Sequence, residues 1–159
     1  MRNLKKLVAI FLAAIMLVLN FNVVFAEGED GSSSEEDFVY AFIERLYVNM
    51  MGRDSDDEGR EFWANQIKGG YLSGNEVANH FYYSAEFRTI SANIDNNEFV
   101  ERMYNTLLGR PSDPDGFDYW TSLLDNNLYT RDDIYLFFLG SAEWRSICES
   151  NNIKPVFNR

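Results

Sequence analysis

From Phe38 onward the chain repeats itself at one fixed interval. Arg45 is answered by Arg102, Tyr47 by Tyr104, Gly52 by Gly109, Gly59 by Gly116, Trp63 by Trp120 and Glu86 by Glu143, each pair 57 positions apart (116 less 59). Phe42 with Phe99, Arg53 with Arg110, Asp56 with Asp113, Ser84 with Ser141 and Arg88 with Arg145 keep the same interval. A register that never slips marks a tandem duplication. One copy covers 38–94, the second covers 95–151, and a short tail covers 152–159. Whatever fold one copy adopts, the other must adopt as well.

Apolar residues inside each copy follow a helical period. Phe38, Phe42, Leu46 and Met50 fall four apart beside Val39, Ile43 and Tyr47, and Phe99, Met103 and Leu107 beside Val100, Tyr104 and Leu108 repeat the arrangement. These twin ridges predict a first helix whose apolar face is buried, because so short a helix is not stable alone. Gly52 and Gly109 stand where a left-handed residue closes it. Ser112-Asp113-Pro114-Asp115-Gly116 then signals a second start, with Asp113 as cap and Pro114 in the first turn, and Asp56-Asp57-Glu58-Gly59 is its counterpart. Gly59 and Gly116 fall at the third helical position, where a missing side chain admits a neighbour. Phe62 and Trp63, and Tyr119 and Trp120, are expected to face inward.

Ser73-Gly-Asn-Glu76 fits a capping box for a third helix, and Thr130-Arg-Asp-Asp133 fits it less well with its shorter acid. Val77 and Phe81, matched by Ile134 and Phe138, supply the buried face. Ser84 and Ser141 open a short last helix. No stretch alternates convincingly as a strand, so the expected fold is all-α: two tandem helical repeats of about four short helices each.

The string Phe99-Val-Glu-Arg-Met-Tyr104, Leu108-Gly-Arg-Pro-Ser-Asp-Pro-Asp-Gly116, Asp118-Tyr-Trp120 and Ser141-Ala-Glu-Trp144 resembles the bacterial domain-of-unknown-function family 4214. The resemblance spans Phe38 to Ile147 in two copies and extends, more distantly, to phycobilisome linker domains. It implies a helical fold, an export context and a non-catalytic adhesion or assembly role, and the family carries no established site. Tyr47, Gly52, Arg53, Asp56, Gly59 and Trp63, with Tyr104, Gly109, Arg110, Asp113, Gly116 and Trp120, are the motif positions.

Ahead of the repeats, Met1 to Ala26 has Arg2, Lys5 and Lys6, an apolar run from Leu7 to Leu19, and Val24-Phe25-Ala26 as a cleavage site. It reads as a signal peptide cut near Ala26, giving a secreted or surface product that meets the membrane only in transit. An uncleaved anchor is the rival, weakened by Asn20 and Asn22. Glu27 to Asp37 is acidic and lacks large apolar residues, which predicts a disordered linker.

Removing Arg2, Lys5 and Lys6 from the 14 basic residues leaves 11 against 25 acidic ones, a net charge of −14. Such a field repels nucleic acid. A lone cysteine, Cys148, makes no internal disulfide and reads as a buried apolar residue rather than an intermolecular link. With one histidine and no phosphate loop or nucleophile elbow, the chain is expected to be no enzyme and to need no cofactor.

Three candidate sites remain. Asp54, Asp56 and Glu58 before Gly59 imitate the opening of a calcium loop, but its twelfth position is Asn65; Asp113 and Asp115 follow Pro111 in the second copy, and helix capping already explains these acids. Paired carboxylates for glycoside hydrolysis are disfavoured, since the duplicated acids sit at solvated helix starts. The third candidate is a recognition surface of Tyr71, Tyr82, Tyr83, Tyr129 and Tyr135, aromatics less easily placed on the ridges and suited to sugars or proteins. Arg45, Arg53, Arg102 and Arg110 are expected to pair with Glu44, Glu101 or the helix-start acids. His80, aligned with Phe137, is expected to be partly buried. The working expectation is a secreted contact module for an extracellular protein or glycan, with a calcium- or carbohydrate-binding accessory domain as the alternative.

Overall fold

The computed structural model describes residues 31–154. The leader, the first residues of the acidic linker and the end of the tail lie outside the described residues. Helix α1 (Gly31–Arg45) runs into a π-helical turn, Leu46–Met51, and α2 (Asp57–Lys68), α3 (Gly74–Tyr82) and α4 (Ala85–Ser91) complete the first copy. The second copy has α5 (Asn96–Met103) with its own π-helical turn, Tyr104–Leu108, then α6 (Pro114–Asp125), α7 (Arg131–Leu139) and α8 (Ala142–Ser150). The described residues hold eight α-helices and no strand, so the fold is all-α.

Local signals act as their chemistry demands. Gly52 and Gly109 close the π-helical turns at φ 71° and 66°, a conformation open to glycine. Asp56 and Asp113 cap α2 and α6 by accepting the amides of Gly59 and Gly116, and Ser84 and Ser141 cap α4 and α8. Both capping boxes form completely, including Thr130 with Asp133, because the shorter acid still reaches the Thr130 amide at 2.8 Å.

Part of the expected disordered linker is helical, since α1 begins at Gly31. Once the buried ridge from Val39 to Met50 nucleates the helix, each upstream residue adds one hydrogen bond at little further cost. Phe62 corrects another expectation. It is 52% exposed, because Trp63 next to it lies a quarter-turn away and takes the contact with Phe81, 5.4 Å between ring centroids.

One apolar core runs through both copies, from Val39, Phe42 and Ile43 to Tyr135, Trp144 and Cys148. The copies meet reciprocally. Arg45 Nε donates to the Thr106 carbonyl at 3.1 Å, and Arg102 Nη1 donates to the carbonyl of Asn49, the counterpart of Thr106, at 2.6 Å. Each guanidinium thereby satisfies a carbonyl in the last turn of the other copy's first helix, where intrahelical partners run out and positive charge is favoured.

The third and fourth helices also cross between copies, helix for helix though not residue for residue. Trp144 on α8 donates to Asn75 on α3 at 2.6 Å, while Arg88 on α4 donates to Asp132, the counterpart of Asn75, on α7 at 2.8 Å. The Gly74 amide donates to the Lys154 carbonyl at 2.9 Å, and Arg131 donates to the carbonyls of Ser91 and Ile94. The start of α3 is thus held by the tail that follows the second copy, and the start of α7 by the end of the first copy. At the Arg45 and Arg102 junction residue i meets j while j's counterpart meets i's, the signature of an isologous interface, here closed within one chain.

Candidate functional site

The motif residues gather into one cluster per copy. Tyr47 sits on α1's π-helical turn with its hydroxyl over Gly59, where a Cβ would stand 2.6 Å from Oη; Tyr104 meets Gly116 in the same way. Arg53 lies 4.9 Å over the Tyr47 ring and forks onto Glu86 through Nε at 2.8 Å and Nη2 at 3.4 Å. Arg110 lies 5.0 Å over Tyr104 and forks onto Glu143 at 2.7 and 2.9 Å. Phe81 and Phe138 meet these tyrosines edge-on, and Trp63 and Trp120 pack behind them. The cluster pins the loop after the first helix to the last helix of its own copy, a structural task for every group in it.

Electrostatics follow from that packing. Burial, reinforced by the Asp113 carboxylate, pushes the Tyr104 phenol up to about 12, against the opposing hydrogen bond from the Trp120 indole. The hydrogen bond from Arg53 holds Glu86 below the ordinary carboxylate range. Arg45 has the opposite character, its guanidinium value lowered by burial at the junction between copies.

Arg53 and Arg110 therefore pair, as expected, with helix-start acids: Glu86 and Glu143 in the first turn of each copy's last helix, with Asp113 also 3.5 Å from Arg110. Arg102 pairs with Glu98 at 2.7 Å one helical turn away. Glu44 and Glu101 instead accept hydroxyl hydrogen bonds from Ser55 and Ser112.

The calcium candidates do not converge. Asp54, Asp56, Glu58, Asp113 and Asp115 are exposed; Asp56 and Asp113 face helix amides, and the Arg110 guanidinium stands 3.5 Å from Asp113. Among the described residues no three His, Cys, Asp or Glu side chains come together as metal ligands do.

Two of the five tyrosines proposed for a surface are core. Tyr82 and Tyr135 are 1% and 0% exposed and stack on each other with ring centroids 3.6 Å apart. Their hydroxyls reach Asp132 and Asn79, so rings that lack a place on their own copy's ridge are buried by the other copy. Burial raises both phenols well above the usual range. Tyr71 and Tyr83 are exposed as expected, and Tyr129 is half-buried against Phe137.

The exposed apolar surface forms an aromatic ledge on each copy, between the second and third helices. On the first copy Phe62 packs edge-on against Trp63, which carries His80 at 5.2 Å. His80 is exposed rather than partly buried. A shallow open groove of about 320 Å³ beside it is lined by Leu72, Glu76, Asn79, His80 and Tyr83. On the second copy Tyr119 and Trp120 are joined by Phe137, with Trp120 and Phe137 5.9 Å apart and 28° from parallel.

Phe62, Leu128, Leu136 and Phe137 were missed by sequence reasoning. Adjacent large apolar residues, Phe62 before Trp63 and Phe137 before Phe138, were the only signal, and a weak one, since Phe42 beside Ile43 shows that adjacent residues can both be buried.

These features define an all-α module of two interlocked helical repeats, each with an exposed aromatic ledge. A family model described as Domain of unknown function (DUF4214) matches residues 26–91 and again 78–148. The chain belongs to that family, in two tandem copies. No curated protein and no solved structure matches it.

Proposed function

We propose that the chain is an exported, non-catalytic contact module serving extracellular adhesion, scaffolding or envelope association, with a protein or glycan as partner. The observation that carries this reading is the pair of exposed aromatic ledges at equivalent positions of the two copies. Rigid aromatic faces bind with little loss of side-chain entropy. The motif residues hold the loop, the capped helix and the last helix of each copy together. Export rests on the leader-like pattern of Met1 to Ala26.

Envelope material from the producing culture, incubated with the chain beginning at Glu27, is expected to retain it without releasing soluble product. Phe62→Ser with Phe137→Ser is expected to abolish retention while lowering Tm by no more than a few degrees. Soluble product, or retention indifferent to the double substitution, would overturn the reading. Sequencing the exported chain's N-terminus checks the leader, with Glu27 as the expected first residue.

A further inference from the structure

The two ledges have diverged, although the clusters beneath them have not. Where the first copy has Tyr71, Leu72, Asn79 and His80, the second has Leu128, Tyr129, Leu136 and Phe137. Leu128, next in sequence to Tyr129, and Leu136, next to Phe137, are 56% and 53% exposed, and the Phe137 ring touches both Trp120 and Tyr129. The second ledge is the apolar one.

Its charge is one-sided. From Pro114 to Leu139 the carboxylates are Asp115, Asp118, Asp125, Asp132 and Asp133, and the one cation is Arg131, which is turned to the Ser91 and Ile94 carbonyls. Asp125, Asp132 and Asp133 have partners in Asn96, Arg88 and Thr130. Asp115 and Asp118 are exposed and have no partner among the described residues. Asp115 stands one helical turn before Tyr119, so a free carboxylate adjoins the aromatic row.

Resting on the contact-module reading, we infer that this face docks a cationic amphipathic segment of another protein. Apolar side chains of the segment lie against Trp120 and Phe137, and its Lys or Arg side chains reach Asp115 and Asp118 or the ring faces. A second copy of this chain does not fit, because the exported chain's 11 basic against 25 acidic residues, a net charge of −14, set like surfaces against each other. A neutral glycan would leave the two free carboxylates without counter-charges.

The test titrates the chain with three probes: a synthetic amphipathic Leu/Lys helix, its Leu/Glu counterpart and neutral oligosaccharides. The Leu/Lys peptide is expected to bind, and to bind less tightly as salt rises. Asp115→Asn and Asp118→Asn should each weaken it roughly 2- to 5-fold, and Phe137→His, which installs the first copy's residue, at least about tenfold. Equal binding of the Leu/Glu peptide, binding of oligosaccharide alone, no binding at all, or indifference to the Asp substitutions would each overturn the inference. Envelope retention that survives while the peptide fails leaves the broader reading standing; the converse result sinks the broader reading alone.

Discussion

Tyr82 of the first copy and Tyr135 of the second lie face to face, 3.6 Å between ring centroids and 3° from parallel, with the Tyr82 hydroxyl donating to Asp132 at 2.9 Å. Tyr83, the next residue, is 47% exposed and meets Tyr82 edge-on. Neighbouring tyrosines therefore have opposite roles. Tyr82→Ser is expected to cost about 3–5 kcal/mol, the range for emptying a buried aromatic site, and Tyr83→Ser under about 1 kcal/mol. Urea unfolding of the two variants checks this, and similar losses would contradict the assignment.

Alanine at an interior helical glycine usually adds about 1 kcal/mol of stability. At Gly59 the sign should reverse, since the new Cβ would meet the Tyr47 hydroxyl at 2.6 Å. Gly59→Ala is expected to destabilise by about 1–3 kcal/mol, and adding Tyr47→Phe should recover part of the loss, making the two changes non-additive. Strict additivity in a denaturation cycle would show that the hydroxyl is not the obstacle. The Gly116 and Tyr104 pair should behave alike.

Acid should weaken the links made by Asp132 and Glu86. The Asp132 carboxyl is held below its ordinary 3.8 by hydrogen bonds from Arg88 and then Tyr82, and Glu86 below its ordinary 4.5 by Arg53. A carboxylate depressed on folding adds stability above its unfolded value and loses that gain as pH falls through the folded one. Tm of the wild type should therefore fall as pH drops below these ordinary values. The gap between wild type and Asp132→Asn should be widest near neutrality and close in acid. A gap independent of pH would refute the linkage.

Cys148 is fully buried, and burial pushes its thiol up to about 12. The thiolate is the reactive species, so the native chain is expected to resist alkylation at pH 8 and to label fully once unfolded. Rapid labelling of the native chain, or a disulfide-linked dimer, would be the contrary result.

Calcium is expected to leave the thermal melt unchanged at millimolar concentration, because Asp56 and Asp113 already cap helices. A rise of several degrees, reversed by chelator, would restore the loop as a binding site.

What could be read from the sequence was whatever neighbours decide. Capping at Asp56, Ser73 and Ser141, the left-handed Gly52 and Gly109 and the ridges from Phe42 to Met50 depend on residues within a turn or two. Pairing between copies stayed hidden, since nothing local to Tyr82 announces Tyr135, and nothing near Arg45 announces the Thr106 carbonyl. The ledge was half legible. The tyrosine count pointed to a surface, but burial by the other copy removed Tyr82 and Tyr135 from it, and Phe62 and Phe137 were masked by Trp63 and Phe138, the adjacent aromatics that pack on or in the core.

Because the first copy's end and the second copy's tail each stop the third helix of the opposite copy, one copy alone would be an unfinished object. A single further unit added to a chain built on this plan would find both of these helix-start contacts already occupied. Growth by twos is the arithmetic that such reciprocity favours, and proteolysis at the short joint from Ala92 to Ile94 would leave two fragments still clasped together.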